Sequence, residues 1–301
     1  MTRQDPAMLS TQNPDHGQAP RTAAEPGPAR TTRPRVSAPL CLLGFLAVYA
    51  VAVCTPFGQR AENALFGGYG AKPAWIYGWS GAAYGSSAMP PLEQTAMPTL
   101  FVGVVAIAAV ALVRRCWWQG CAAIGVVVAT VGTKEVAKMI LPRPDLVGAR
   151  VSLVEASFPS GHVAIPAGLA LGAALVASPR VRPYVVTAGM LWLAVTAGAV
   201  QATYHHRPSD VLGSALLACA YYGLAARLLP SAHAPGAMQR PRALRVVALV
   251  LAAAGAFVAG ARDDSVTQSL VFGAAAFLCA ALCWATTATG PARRTRPAPV
   301  G

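Results

Sequence analysis

From about residue 38 to residue 287 the chain alternates long apolar runs with short polar connections. The runs fall at 38–54, 99–113, 117–137, 163–177, 184–200, 211–229, 246–261 and 270–287. A helix needs about 20 apolar residues to cross the hydrocarbon core of a bilayer, and helices satisfy their own backbone there. Some runs are shorter, so their ends extend into flanking residues or their helices sit where the bilayer is thin. The pattern predicts an all-α, polytopic membrane helix bundle with about eight transmembrane helices. Pro166 is expected in the first turn of its helix, where a missing N–H does least harm.

The polar segments divide the chain further. Residues 1–36 are rich in Pro, Arg, Thr and Ala and nearly lack large apolar residues. They cannot bury a core and read as a disordered basic tail. The loop 55–98 is rich in glycine and carries Phe57, Phe66, Tyr69, Trp75, Tyr77, Trp79 and Tyr84. It reads as an interfacial segment on the outer side with a short helix lying on the membrane. Residues 231–290 hold the last two runs, an added hairpin for packing and not a second site. Residues 291–301 are a short basic tail.

Composition agrees with the pattern. The 301 residues are 55% hydrophobic and 12% charged, where a soluble domain carries about 25% charged residues. The net charge of +13 would point to nucleic acid on a soluble protein. Here the charges lie between apolar runs, so topology is the better reading and no nucleic-acid partner is expected. With the N-terminal tail cytoplasmic, 16 of the 24 Lys and Arg residues fall in cytoplasmic segments, as the positive-inside rule requires. Both termini are then cytoplasmic, in a plasma membrane. Seven cysteines occur without a C-x-x-C pair. Neither zinc nor a disulfide framework is indicated, and most read as small buried apolar residues.

The same topology puts three polar islands on the outer face. The first runs from Lys138 to Asp145 and contains Arg143-Pro144. Lys138 and Arg143 either bind an anion or snorkel to the interface. Lys134, one turn deeper, has Glu135 beside it as a partner. The second island is Phe158-Pro159-Ser160-Gly161-His162, just ahead of a helix. Ser160 and the Gly161 N–H are candidates to donate to a phosphate, with His162 as general acid. The alternative is a plain helix cap by Ser160. The third island is Tyr204-His205-His206-Arg207-Pro208-Ser209-Asp210. A helix starting near Pro208 would bring Asp210 to His206, fix its tautomer and leave the other ring nitrogen to attack. A structural pair or a metal site is the alternative for that spacing.

Taken together, these islands resemble the motifs of the type-2 phosphatidic acid phosphatase superfamily, over roughly residues 37–230. The resemblance implies a six-helix membrane core and a lipid phosphate or lipid diphosphate as substrate. It implies His206 as a nucleophile that forms a phosphohistidine, Asp210 as its orienting partner and His162 as the acid for the leaving oxygen. Lys138, Arg143, Ser160 and Gly161 would hold the phosphate, with no metal and no cofactor.

Two departures stand out. Lys138 lies five residues before Arg143 where the family places its lysine seven before, and Asp145 stands in place of a second arginine. The family's Ser-Arg ahead of the nucleophile is replaced by Ala199-Val200. A charge-assisted bond to phosphate is worth roughly 1.5–3 kcal/mol, so the missing arginine bears on rate. Arg207, Lys134 and Arg150 are the candidate substitutes. A degenerate, non-catalytic binder of lipid phosphate is therefore the second reading. A haloperoxidase-like vanadate enzyme and a serine hydrolase on Ser160 rank below it, the first because eight spans are expected, the second because no nucleophile elbow surrounds Ser160.

Overall fold

A computed structural model of the chain describes residues 33–34, 37–66, 96–149, 151–230, 242–262 and 265–290. The tails, the aromatics from Tyr69 to Tyr84, and Arg150 lie outside the described residues. The described chain is all-α apart from a two-residue antiparallel pairing of β1 (Arg33–Pro34) with β2 (Thr289–Gly290).

Ten helices follow one another among the described residues. These are α1 (Ala38–Val48, continued by a π-helical turn Tyr49–Val53), α2 (Pro56–Ala64), α3 (Ala96–Val113), α4 (Trp117–Ile140) and the single turn α5 (Val151–Val154). Then come α6 (Gly161–Val176), α7 (Arg182–Ala202), α8 (Pro208–Leu228), α9 (Arg242–Gly260) and α10 (Val266–Thr287). Six of them, α3, α4, α7, α8, α9 and α10, are long and apolar enough to cross a membrane. A seventh span arises if α1 and α2, which meet at 79°, form one broken span. The chain is thus a polytopic membrane helix bundle.

The eighth expected run, α6, has 16 residues. At 1.5 Å per residue that is roughly 24 Å, short of a hydrocarbon core of about 30 Å. It is also the most enclosed helix, with 13 of its 16 residues buried, and α4, α7 and α8 pack around it. By contrast α3 buries only Ile107 and Ala111 and turns Phe101, Val102 and Val105 outward, as a lipid-facing helix does.

Pro166 is a correction. Ser160 starts α6 two residues earlier than the apolar run does, because its Oγ accepts from the Val163 N–H at 3.3 Å. Pro166 is therefore inside the helix, in its second turn. Lacking an N–H, it leaves the His162 carbonyl without its usual i+4 donor. The cysteines split. Cys41, Cys219, Cys279 and Cys283 are buried, but Cys54, just past the π-helical turn, and Cys121, on α4, are exposed, and all seven are free thiols.

The short helix expected within 55–98 is α2. Thr55 caps it, accepting from Gly58 N at 3.0 Å. It holds the Arg143 segment from one side: Gln59 donates through Nε2 to the carbonyls of Pro144 (2.5 Å) and Val53 (2.7 Å), and its Oε1 accepts from Leu146 N at 3.2 Å. Tyr49 donates its hydroxyl to Pro142 O at 2.8 Å. The segment after α4 is thereby fastened to α1 and α2.

Candidate active site

The second and third islands are stitched together by backbone. Ser160 N donates to Asp210 O at 3.0 Å. The Ser214 hydroxyl lies 2.6 Å from Ser160 O and 3.1 Å from Asp210 O. The start of α6 is thus bound to the first turn of α8. Phe158 completes the joint. Its ring is buried against Phe45 and Tyr49, at centroid distances of 5.1 and 5.4 Å. Only a glycine fits opposite, since a Cβ on Gly213 would meet that ring at 2.5 Å.

This joint brings the two histidines together. His162 Nδ1 lies 3.1 Å from His206 Nε2. On the other edge of the same ring, His206 Nδ1 lies 3.4 Å from Asp210 Oδ2. Asp210 is fully buried, at 0% exposure, and its Oδ2 also accepts the Arg207 N–H at 2.9 Å. An acid at the third helical position reaching back to the capping residue's N–H is one half of a capping box. The carboxylate is therefore held by the helix start itself, and the imidazole is held by the carboxylate. A buried carboxylate on one nitrogen of an imidazole sets its tautomer and frees the other nitrogen for chemistry.

Beside the histidines lies a cavity of about 280 Å³, lined by Lys138, Glu155, Ser157, Tyr204, His205, His206 and Arg207 among others. Arg207 is buried. It donates to Ser157 Oγ at 3.0 Å and to Leu153 O at 2.6 Å, and its guanidinium sits 5.3 Å from the centre of the Phe66 ring. Burial pushes its pKa below the ordinary arginine value and nearby Arg143 pushes the same way, yet a guanidinium stays charged in proteins. Lys134, buried in α4, pairs with Glu135. Its Nζ would stand 2.9 Å from a Cβ on Gly161, so an ammonium lies directly over the start of α6. Helix starts leave N–H groups pointing outward, and no acidic residue occupies the first turn of α6.

The expected site residues fall into two groups. His162, His206 and Asp210 form one chain of contacts, and Lys138 and Arg207 line the cavity beside it. Ser160 is buried and caps α6 through its Oγ. The Arg143 side chain is also buried, does not line the cavity, and has NH1 3.5 Å from Glu62 Oε2. Among the described residues, neither terminal nitrogen of Arg143 has a hydrogen-bond partner. Arg150 lies outside the described residues.

Sequence reasoning missed Glu62. Its Oε2 faces Arg143 and its Oε1 accepts the Ser209 N–H at 3.1 Å, 147 residues away. The available signal was Gln59 and Glu62, one turn apart on the buried face of an otherwise exposed segment. It also missed Ser214, one turn beyond Asp210 on α8. The position where the resemblance expects an arginine, Val200, is fully buried, and its carbonyl accepts the N–H groups of both His205 (3.0 Å) and His206 (3.1 Å).

In comparison with known families, residues 115–234 match the model of the PAP2 superfamily. No curated protein and no solved structure matches the chain.

Proposed function

We propose that this integral membrane protein, with its PAP2-superfamily domain over residues 115–234, is a phosphatase that hydrolyses a lipid phosphate or lipid diphosphate at the outer membrane face. The observation that carries the reading is the contact chain Asp210–His206–His162, at 3.4 and 3.1 Å, beside a cavity lined by Lys138 and Arg207. Three titratable groups in series next to cations suit phosphoryl transfer, in which positioning and charge stabilisation do most of the work.

In the proposed reaction, the phosphoryl group displaces the His162–His206 contact, which is 3.1 Å in the free protein, and parts the two imidazoles. His206 Nε2 attacks phosphorus and the bond to the lipid oxygen breaks. His162 gives its proton to that oxygen, so the lipid leaves as an alcohol or as a monophosphate. Asp210 holds Nδ1–H and balances the charge on the ring. Water then attacks the phosphohistidine, loses a proton to His162, and inorganic phosphate departs. Lys138, the Gly161 N–H and Arg207 face the phosphoryl oxygens. Ser160 supports them by fixing the start of α6, and Arg143 adds its charge from behind.

The eight-span arrangement with a six-helix core, cytoplasmic termini and an outward site belongs to the same proposal. The short α6 helps it, because a helix of roughly 24 Å ends below a membrane surface. A head group then reaches the site while its tail stays in the bilayer.

One observation favours a second reading. Val200 replaces an arginine, and Arg143 is engaged by Glu62, so two cationic groups are absent from the cavity wall. A non-catalytic lipid-phosphate binder would tolerate that. The deciding experiment is phosphate release by the detergent-solubilised protein from phosphatidate, phosphatidylglycerophosphate and polyprenyl diphosphates. The proposal expects release from at least one, abolished in His206→Ala. Lipid binding with no release by the unmutated protein would select the second reading.

A further inference from the structure

The α9–α10 hairpin lies wholly beyond the family match and reads from the sequence as packing. Its turn says otherwise. Thr203 ends α7, and Tyr204 follows with φ +58°, in the left-handed region that glycine occupies at this position of a helix end. The hydrogen bonds complete the motif: Tyr204 N donates to Gln201 O at 2.9 Å and His205 N to Val200 O at 3.0 Å. A bulky residue with positive φ persists only where its surroundings hold it. His206 comes two residues later, so the direction in which the chain leaves α7 decides where that imidazole stands.

What holds Tyr204 comes largely from the hairpin. The Arg262 guanidinium lies 4.0 Å from the centre of the tyrosine ring and donates through NH1 to Ala202 O at 2.6 Å. The Tyr204 hydroxyl lies 3.1 Å from Gln268 Oε1, and Gln268 Nε2 donates to Leu65 O at 2.9 Å. The ring of Phe272 meets Tyr204 edge-on at 6.4 Å, and Phe66 packs on it at 5.1 Å. Arg262 is itself fixed: its N–H donates to Ser269 Oγ at 2.7 Å and its side chain is buried. The contacts converge from α10 and the end of α2 on one residue of the cavity wall.

We infer that the hairpin is a positioning element for the nucleophile loop, with Arg262 and Gln268 acting through Tyr204 on His206. The inference rests on the phosphatase reading. Arg262 and Gln268 touch no reacting atom. They fix the aim of the imidazole, and a displacement of about 1 Å at a reacting group can cost a hundredfold in rate.

The test compares Arg262→Ala, Arg262→Lys and Tyr204→Gly with the unmutated protein in detergent. Arg262→Ala should lower kcat about a hundredfold with KM held, and Arg262→Lys, which keeps a cation over the ring, should restore most of it. Tyr204→Gly relieves the backbone but removes the ring and its contacts, so it should also lower kcat. If Arg262→Ala and Tyr204→Gly both keep full kcat, the inference is overturned. A second readout needs no turnover: the rate at which diethyl pyrocarbonate modifies His206, followed by peptide mass spectrometry. A changed rate in Arg262→Ala supports positioning even if the parent releases no phosphate, which would sink the phosphatase reading alone. An unchanged rate in all three variants overturns the inference.

Discussion

Two helices begin at the candidate site, and their first turns are built in opposite ways. The start of α6 is capped by a neutral hydroxyl, Ser160, has no acid in its first turn and lies under the Lys134 ammonium. The start of α8 is lined with carboxylate. Asp210 takes the Arg207 N–H and Glu62 takes the Ser209 N–H. Helix N-termini attract anions through free N–H groups and the helix dipole. At α6 no acid of the first turn meets that attraction. At α8 it is already satisfied by the protein's own acids, of which Asp210 in turn holds His206. On the proposed reading, the same local geometry gives an anion seat at one end and a nucleophile mount at the other, and the difference lies in which side chains fill the first turn.

The comparison can be broken most severely at α8. Asp210→Asn keeps the shape but removes the charge that fixes the His206 tautomer, so kcat should fall by about 10³–10⁴-fold, as in triads that lose their acid. Steady-state phosphate release measures it. A loss below tenfold would mean that Asp210 serves the cap and not the imidazole.

Glu62→Ala should come next. It strips the partner from the buried Arg143 guanidinium and from Ser209 N, and breaking a buried pair from one side costs about 3–5 kcal/mol. A fall in apparent Tm would register this. Glu62→Gln is gentler and sharper: it keeps the acceptor for Ser209 N and releases the charge of Arg143, so inorganic phosphate should inhibit more strongly than in the parent. Unchanged inhibition would show that Arg143 does not reach the anion seat.

Gly161→Ala probes the other helix. The added Cβ would crowd the Lys134 Nζ at 2.9 Å, which can swing aside because it ends a flexible chain. Stability should barely move, while KM should rise several-fold through the displaced cation, an effect of about 1 kcal/mol. Equal KM in both proteins would remove Lys134 from the account. The smallest effect is expected for Ser160→Ala, a lost cap worth about 1 kcal/mol, read as a modest drop in apparent Tm with the site chemistry retained.

Much of this was legible in the sequence, for physical reasons. Apolar runs must be helical in a bilayer, so the long helices appear where the runs are. His206 and Asp210 lie one turn apart, and Pro208 announces the helix that joins them. The start of α6 was harder, because Ser160 and Gly161 belong to the helix by hydrogen bonding while the apolar run begins later, and this moved Pro166 inward. Glu62 was missed because its partners are remote in sequence and its helix sits in a segment dominated by glycine and aromatics. The hairpin's contacts with Tyr204 were invisible for a similar reason: Arg262 and Ala202 are 60 residues apart, and nothing in Arg262 alone distinguishes a buried donor from a solvated turn residue. Local pattern reports what a residue's neighbours in sequence require, and these contacts are tertiary.

The central claim is that the α8 end carries the nucleophile. Its most direct test is to quench the protein with base during turnover of a phosphate-labelled lipid and locate the label by peptide mass spectrometry, since a phosphorus–nitrogen bond survives alkali and breaks in acid. The account predicts an acid-labile phosphoryl group on His206, absent in His206→Ala and formed more slowly in His162→Ala, which lacks the acid for the leaving oxygen. Phosphate release during turnover with no label on His206, or with the label on His162, would contradict it.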